Sequence, residues 1–388
     1  MLSTLLYLLL MLSLAKGADI IMPNFTRPFT IGTTVLEIVD YSRRDVRAPT
    51  PRPRNLAFSM FYPVSNRSGS PLSRLNCTPA IQVPLKTALY LENREPIISG
   101  GLQNVSTHAC LNAPLSYPSF PLLFFSPGSF SSRYLHSYTL AEIASYGWNV
   151  VSVDHPYQTS IVEYLDGRVA YEIPFNGTQE EEDRRAAENI DIHAADLISV
   201  LNALTNSTVT AQIPGFSSPV GMPRLPWIRL RTDKVGVLGH SLGGATALRV
   251  TANDTRFAVG ADMDGGFWGT QRQIGTDAPF MILAGENSTR ASFSGWAETW
   301  PNLRNFKREY RVHGASHLAF MDLPSYRDLI PDFASNYNDD MGSINGTRSI
   351  GIQRAFMNSL FRRFLKGDND GLLDGLGMED WPEITNIE

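Results

Sequence analysis

Short apolar runs alternate with stretches of helical periodicity along most of the chain. The clearest helix lies at 180–204, where acidic first turns precede an apolar stripe with the spacing of one helix face. The pattern predicts strands at 33–41, 56–64, 121–128, 148–156, 234–241, 257–264, 279–286 and 308–314, and helices at 133–146, 180–204, 243–252 and 350–367. Apolar strands that alternate with helices indicate an α/β fold with a mostly parallel central sheet and helices on both faces.

The first third of the chain is less regular than the rest. Residues 18–120 are rich in Pro, Asn, Ser and Thr, and 47–55 has the composition of a proline-punctuated loop. Residues 121–388 contain no stretch with the composition of a linker between domains. We therefore expect a single domain over residues 18–388, entered through an irregular N-terminal approach over 18–56.

Residues 1–17 have the pattern of a secretory signal peptide. Their apolar run, Leu5 to Leu14, is too short to cross a hydrocarbon core of about 30 Å as a helix. The following small residues suit cleavage, and the alternative is an N-terminal membrane anchor. No later segment approaches the ~20 apolar residues that a span requires, so we expect a secreted, extracellular protein with no transmembrane anchor.

Nine Asn-x-Ser/Thr sequons fit the same compartment, because composition alone gives fewer. In an oxidising compartment Cys77 and Cys110 are expected to form a disulfide, and two buried free thiols are the alternative. The candidate glycosylation sites are Asn24, Asn66, Asn76, Asn104, Asn176, Asn206, Asn253, Asn287 and Asn345.

The composition suits a folded protein and excludes some partners. The 388 residues are 43% hydrophobic and 18% charged, which is enough apolar material for a sizeable core. The formal net charge is −5 and no long basic run occurs, which argues against nucleic acid as the main partner. The wide spacing of the two cysteines matches no zinc-site pattern.

A candidate nucleophile stands in the sequence GHSLG at 239–243, which has the form G-x-S-x-G around Ser241. A predicted strand precedes it and a predicted helix follows, which is the setting of a nucleophile elbow. The flanking glycines remove side chains that would clash where a strained turn brings backbone segments together. A strand-to-helix turn without chemistry is the alternative interpretation.

A serine hydroxyl is a weak nucleophile, so it needs a base that a carboxylate orients. The chain order expected for this fold is serine, acid, histidine, and only His313 and His317 follow Ser241. His317 is favoured because it lies beyond Gly314 in a loop, whereas His313 still belongs to a strand pattern.

Three carboxylates after Ser241 stand at predicted strand ends. Asp262 and Asp264 end the strand after the elbow, and Glu286 ends the next strand. Asp264 is favoured because catalytic groups of open α/β sheets gather on the loops at the carboxyl ends of strands. From spacing alone, Glu286 and then Asp262 stay open as alternatives.

An oxyanion hole needs two backbone N–H groups, and one should come from Leu242, directly after the nucleophile. The other should come from the loop after the strand at 121–128. Pro127 has no N–H, so Ser129 or Phe130 is the expected donor, and an ordinary Pro-Gly turn is the alternative.

These motifs, in this order, resemble the secreted, calcium-independent platelet-activating factor acetylhydrolases and their microbial lipase relatives. The resemblance implies an α/β-hydrolase fold, places the acid at Asp264, supports His317 as the base and puts an oxyanion donor at Ser129. One departure is Pro127, which replaces the histidine of the family's His-Gly pair. The resemblance covers residues 57–366 and rests on YP at 62–63, PLLFFSPGSF at 121–130, ASYGWNVVSVDHP at 144–156, GHSLGG at 239–244, DMDGG at 262–266 and HLAFMD at 317–322.

The resemblance implies a secreted serine carboxylic-ester hydrolase that needs neither metal nor organic cofactor. It would cleave short or oxidised sn-2 acyl esters of phospholipids through an acyl-enzyme. A general short-chain carboxylesterase or lipase, or a polyester hydrolase of the cutinase type, is the rival within hydrolases. A non-catalytic hydrolase-fold binding protein is the rival outside them. The expected partner is a small ester or phospholipid, in solution or at a lipid surface, and the sequence leaves the oligomeric state open.

Other residues carry weaker signals. The aromatic side chains of Phe130, Phe267, Trp268 and Trp296 fit either an apolar pocket or core packing. The Asp-His pair at 154–155 is interpreted as a cap on a strand end.

Overall fold

One long sheet of 12 strands lies at the centre of the part of the chain that the structure describes. The computed structural model describes residues 20–26, 29–64, 77–94, 101–216, 229–293, 295–330, 333 and 337–388. The predicted signal peptide and the sequons at Asn66 and Asn76 lie outside these residues. The strands are β1 (Ile20–Ile21), β2 (Thr30–Arg44), β3 (Pro53–Val64), β4 (Pro79–Ile81), β5 (Val105–Leu111), β6 (Pro121–Ser126), β7 (Asn149–Val153), β8 (Ile161–Glu163), β9 (Val169–Tyr171), β10 (Arg231–His240), β11 (Phe257–Met263), β12 (Phe280–Gly285), β13 (Lys307–Val312) and β14 (Ile384–Asn386).

Parallel strands occupy the middle of this sheet. The strand order is β1-β5-β2-β3-β7-β6-β10-β11-β12-β13-β14, with β4 paired to β5 and β8–β9 forming a separate hairpin. All neighbours from β7 through β13 are parallel. The pairs β2–β3, β3–β7, β4–β5 and β13–β14 are antiparallel. The predicted α/β fold with a mostly parallel central sheet is confirmed.

Helices lie along both faces of the sheet. The helices are α1 (Leu85–Arg94), α2 (Ser137–Ala144), α3 (Gln179–Ala203), α4 (Ser207–Thr210), α5 (Leu242–Asn253), α6 (Gln271–Ile274), α7 (Trp296–Thr299), α8 (Leu323–Leu329), α9 (Asn338–Met341) and α10 (Gly346–Phe361), which continues as a π-helical turn over Arg362–Lys366. Short 3₁₀ turns lie at Leu102–Asn104, Arg133–His136, Trp300–Asn302, His317–Phe320, Leu372–Asp374 and Met378–Asp380. None of the helices in the described ranges combines the length and apolar character that a bilayer span requires.

The strand β6 shows why the apolar runs lack alternation, since each of its residues is buried. Leu122 and Phe124 belong to the core beneath α3 and α5, whereas Leu123 and Phe125 belong to the core beneath α2 and α10. Successive side chains of a strand point to opposite faces, so a run that is apolar throughout fills two cores at once.

The N-terminal approach is more regular than its composition suggests. Within residues 18–56, β2 forms a 15-residue strand that pairs with β3 in antiparallel register. The strand β3 begins at Pro53, inside the stretch expected to be a loop. The physical reason is that β2 alternates buried and partly exposed positions over much of its length, so one face packs on the core while the other meets solvent. The short strands β1, β4, β5, β8, β9 and β14 were not among the predicted elements.

The two cysteines form the expected disulfide, with Cα atoms 4.9 Å apart. The bond ties Cys77, which precedes β4, to Cys110 in β5. Cys110 is paired with Gly32 of β2, so the disulfide anchors its loop directly to the central sheet.

We predict that the double variant Cys77→Ala/Cys110→Ala folds but loses about 3–4 kcal/mol of unfolding free energy, because the bond closes a loop of 33 residues. Urea unfolding of both proteins measures the difference. A reducing agent should destabilise the wild type by a similar amount and leave the double variant unchanged. A loss below about 1 kcal/mol would show that the loop is restrained without the bond.

Candidate active site

Ser241 occupies a strained turn between β10 and α5. Its backbone has φ 57° and ψ −127°, a conformation that costs a non-glycine residue of order 1–3 kcal/mol. A side chain at Gly239 would collide with the backbone of Gly243, and one at Gly243 with the carbonyl of Ser126. The glycines therefore allow strand, turn and helix to close around Ser241, as expected for a nucleophile elbow.

Backbone strain is concentrated around this turn. Among the described residues, the non-glycine positions with positive φ are Asn112, Phe130, Tyr157, Ser241 and Asp264. Asp264 lies next to Ser241 in space, and Phe130 and Tyr157 line the cavity described below. Strained residues cluster at functional sites, because only a well-packed surrounding structure can hold them.

Asp264 and His317 form a directed pair. Nδ1 of His317 lies 2.7 Å from Oδ2 of Asp264, and the other carboxylate oxygen accepts the N–H of Gly285 at 2.7 Å. Burial alone would raise the pKa of Asp264, but the hydrogen bond and charge of His317 lower it below its ordinary value. The carboxylate accepts the proton on Nδ1, so Nε2 is the ring nitrogen left to act on a neighbouring group. The imidazole is 41% exposed, whereas the Asp264 side chain is 2% exposed.

Backbone contacts bring this pair to the elbow. The N–H of Ser241 donates to the carbonyl of Met263 at 3.0 Å, so Ser241 lies directly beside the residue before Asp264. The ring of His240 donates from Nε2 to the carbonyl of His317 at 2.9 Å, and the two rings are 4.7 Å apart. Ser241 and Asp264 thus follow neighbouring parallel strands at the same end of the sheet, and the hydrogen bond to Asp264 brings the His317 ring to that end.

Asp322 fixes the segment that carries His317. Its buried carboxylate accepts the N–H groups of Tyr138 and Thr139 at 2.8 and 3.0 Å, at the start of α2. It also accepts the amide of Gln82 at 2.8 Å. The turn over His317–Phe320 is therefore tied to the helix beneath the sheet rather than left as a free loop.

The other candidate base and acid pair with each other. Nδ1 of His313 lies 3.4 Å from Glu286, and its Nε2 lies 2.8 Å from the hydroxyl of Thr385. Both side chains are 47% exposed. Glu286 also accepts the N–H of Gly314 at 2.9 Å, so it closes the loop after β13.

Asp262 lies underneath the site rather than in it. Its side chain is fully buried, and Oδ1 accepts the N–H of Gly265 at 2.9 Å. Burial, and then the negative charge of Asp264, raise the pKa of Asp262 well above its ordinary value. Of the three carboxylates considered from the sequence, only Asp264 is hydrogen-bonded to His317.

The segments that carry the two expected oxyanion donors lie beside Ser241. Leu242 is the first residue of α5, so its N–H has no acceptor within the helix. Gly128 lies against the serine: a side chain there would come within 2.7 Å of the Ser241 Cβ atom. Ser129 follows Gly128 and is partly exposed. Pro127, with no N–H, occupies the turn without removing either donor.

The loop after β6, residues 127–130, carries the second expected oxyanion donor and is called the oxyanion loop. A cavity of about 260 Å³ opens beside it. Ser129 forms part of its wall, with the aromatic rings of Phe130, Tyr157, Phe175 and Trp268. The Trp268 indole donates to a carboxylate oxygen of Asp183 at 3.2 Å, which fixes the ring. Of the aromatic residues singled out in the sequence, Phe130 and Trp268 line this cavity, whereas Phe267 and Trp296 are buried in the core.

The sequence pattern did not identify His155 or Asp322 as part of the site's support. His155 is fully buried and hydrogen-bonded on both ring nitrogens, to Ser126 and Asp196. The available signal was its position directly after a buried parallel strand, where Ser241 and Asp264 also stand.

Comparison with known proteins gives the family of the chain and a solved structure of similar fold. A family model for platelet-activating factor acetylhydrolase, isoform II, matches residues 58–330. A probable 1-alkyl-2-acetylglycerophosphocholine esterase of Arthroderma benhamiae is 24% identical and covers 96% of this chain and 95% of its own. A platelet-activating factor acetylhydrolase of Gallus gallus is 24% identical and covers 69% of this chain and 68% of its own. The structure of a ferulic acid esterase from Streptomyces cinnamoneus superposes with a TM-score of 0.76 at 25% identity, covering 96% of this chain and all of that one. The chain is thus a carboxylic ester hydrolase and belongs to the platelet-activating factor acetylhydrolase, isoform II, family.

Proposed function

We propose that Ser241, His317 and Asp264 form a catalytic triad that hydrolyses esters through an acyl-enzyme. Nε2 of His317 takes the hydroxyl proton as the Ser241 oxygen attacks the ester carbonyl carbon. The N–H groups of Leu242 and Ser129 donate to the developing oxyanion. His317 then protonates the leaving alcohol, and Asp264 stabilises the positively charged imidazolium between these two steps.

Water completes the cycle. His317 removes a proton from a water molecule, whose oxygen attacks the acyl carbon bound to Ser241. Collapse of this second intermediate releases the carboxylic acid, and His317 returns the proton to the serine oxygen. Apart from the water molecule, each of these steps uses side chains and backbone groups of this chain.

The observation that carries the proposal is the 2.7 Å hydrogen bond between Asp264 and His317, next to a serine with φ 57°. A buried carboxylate that holds the ring proton on Nδ1 serves a base that acts through Nε2. The alternative pair, His313 and Glu286, is more exposed, and its hydrogen bonds go to Thr385 and Gly314.

For the substrate we favour phospholipids with a short or oxidised acyl group at the sn-2 position. The relative from Arthroderma benhamiae is named as an esterase of a 2-acetyl glycerophospholipid and that from Gallus gallus as an acetylhydrolase, which supports a short acyl group. The cavity beside Ser129 offers apolar rings together with the ionisable side chains of Glu182 and Arg185, which suits an amphipathic molecule.

A second candidate substrate is an ester of an aromatic acid. The structural likeness to a ferulic acid esterase supports it, and so do the four aromatic rings around the cavity. Simple short-chain esters and polyesters are further rivals among hydrolase substrates, and a non-catalytic binding role is the rival outside hydrolysis.

We also propose that the protein is secreted and glycosylated. The pattern of residues 1–17 supports a cleaved signal peptide, and the disulfide suits an oxidising compartment. Of the seven sequons within the described residues, only Asn104 is partly buried. The exposed sequons are Asn24, Asn176, Asn206, Asn253, Asn287 and Asn345.

The triad predicts a large loss of activity for three variants. Ser241→Ala and His317→Ala should lower kcat by roughly 10⁴-fold or more, and Asp264→Asn by about 10⁴-fold, because the ring loses its orienting carboxylate. Hydrolysis of 4-nitrophenyl acetate and of a short-acyl phospholipid measures the effect.

The unused candidates provide matched controls for those variants. His313→Ala and Glu286→Gln alter the same chemical groups at the neighbouring loop, and both should keep turnover near that of the wild type. Equal turnover by the wild type and Ser241→Ala would remove the proposed nucleophile. If His313→Ala lost turnover and His317→Ala did not, the base would be His313 rather than His317.

The cavity is tested by Trp268→Ala with large and small substrates. We expect KM for a short-acyl phospholipid to rise roughly tenfold, since removal of a packed aromatic ring costs about 1–3 kcal/mol of binding. KM for 4-nitrophenyl acetate should change little. Comparing the phospholipid with methyl ferulate shows which class uses the cavity, and equal effects on all three substrates would contradict its role in specificity.

Expression in a eukaryotic secretory host tests the compartment. We expect the secreted protein to begin at Ala18 and to lose mass on treatment with peptide N-glycosidase. N-terminal sequencing and mass spectrometry read both outcomes. Retention of Met1 on a cell-associated protein would instead support the membrane anchor.

A further inference from the structure

A second Ser-His-Asp chain lies sealed beneath the oxyanion loop. The hydroxyl of Ser126, the last residue of β6, lies 3.0 Å from Nε2 of His155. Nδ1 of the same ring lies 2.9 Å from a carboxylate oxygen of Asp196 in α3. All three residues are 0% exposed, so no substrate reaches this serine. The role of Ser126 therefore follows from the part of the structure that its hydrogen bond holds in place.

Charge fixes the direction of these hydrogen bonds. Arg54 binds Asp196 in a bidentate manner, at 3.1 and 2.7 Å, and Arg43 adds a third contact at 2.8 Å. Burial alone would raise the pKa of Asp196, but the Arg54 charge holds it below its ordinary value. Burial lowers the pKa of His155, which keeps its ring neutral. Nδ1–H therefore donates to Asp196, and Nε2 accepts the hydroxyl proton of Ser126.

The surroundings of His155 prevent its ring from turning. The ring of His193 stacks on it with centroids 3.6 Å apart and planes 6° from parallel. Arg54 also donates to the carbonyl of Pro156 at 3.0 Å and to the amide oxygen of Gln158 at 2.9 Å. The segment directly after His155 is thus held by the same guanidinium that binds Asp196.

The series of hydrogen bonds from Asp196 through His155 ends at Ser126, and the oxyanion loop begins at the next residue. Ser126 is paired with Gly239 of β10 and is followed by Pro127, Gly128 and Ser129. Gly128 lies so close to Ser241 that a side chain there would be 2.7 Å from the Ser241 Cβ atom and 3.2 Å from its hydroxyl oxygen. A rotation at Ser126 would therefore displace the N–H of Ser129 relative to the nucleophile.

We propose that Ser126 and His155 are positioning residues that hold the oxyanion loop in register with Ser241. The inference rests on the proposed function of Ser241 and extends it to a support outside the triad. The hydrogen bond from Ser126 to His155 fixes the last residue of β6, and Asp196 and Arg54 fix His155. The Ser129 N–H then donates to the oxyanion only while the hydrogen bonds from Ser126 to His155 and from His155 to Asp196 are intact.

Ser126→Ala tests the proposal. We expect kcat to fall roughly ten- to a hundredfold with KM nearly unchanged, because a small displacement of a donor is felt mainly in the transition state. The affinity for a trifluoromethyl ketone analogue, which forms a tetrahedral adduct, should fall by the same factor. Ser126→Cys, which keeps a weak donor, should give an intermediate kcat and serves as the second variant if alanine impairs folding.

Ser152→Ala is the matched control. Ser152 lies in the neighbouring strand β7, in register with Phe125, and is also 0% exposed. Its hydroxyl has no hydrogen-bond partner among the described residues, so the control removes a buried serine hydroxyl from the same sheet without breaking the Ser126–His155–Asp196 hydrogen bonds. We expect its kcat to stay within twofold of the wild type, after correction for the fraction of Ser241 that a fluorophosphonate labels.

The outcomes separate positioning from mere stability. A kcat for Ser126→Ala within twofold of the wild type, or a loss that Ser152→Ala shares, would overturn the proposal. The rate at which a fluorophosphonate labels Ser241 gives the same comparison without assuming any ester substrate. Failure of the wild type to hydrolyse esters would overturn the proposed function, whereas an unchanged labelling rate in Ser126→Ala would overturn the positioning role alone.

Discussion

The hydrogen bond between Asp264 and His317 is the interaction on which the candidate site depends. It joins the end of β11 to the turn after β13, so it forms only if the intervening strand β12 keeps both in register. Gly285, at the end of β12, secures this arrangement by donating its N–H to the second oxygen of Asp264. A buried carboxylate between two neighbouring strands therefore sets the position of an imidazole that is itself partly open to solvent.

Much of the fold could be predicted because its signals are local. The apolar runs after residue 120 and the stripe on α3 each report burial within a few turns of chain. Ser241 was identifiable for the same reason, since its strained turn needs glycines two residues before and two residues after it. The acid was harder to choose from the sequence, because the alternation of side chains between the two faces of a strand does not show at which residue the strand ends. The strand β11 ends at Met263, so Asp262 still lies within it and Asp264 begins the loop.

The support of the site could not be predicted in this way. Asn189, His193 and Asp196 lie on the buried face of α3, among the apolar residues that made the helix recognisable. Nothing local says that Asp196 is paired, because its partner Arg54 stands 142 residues away in the chain. The sequence pattern predicted only part of the strand β2 for a related reason. Its partner β3 begins in a proline-rich stretch, and the composition of that stretch favours a loop. Buried polar networks of this kind are visible only once the chain is folded.

The contact between Gly128 and Ser241 also limits how the enzyme can diversify. Since no side chain fits at 128, new substrate preferences within this loop must arise at its flanks rather than at its centre. Phe130 is the natural place for such change, because its ring is 60% exposed while its backbone remains in the left-handed region. Libraries aimed at altered acyl selectivity gain most from varying that ring and leaving the glycine untouched.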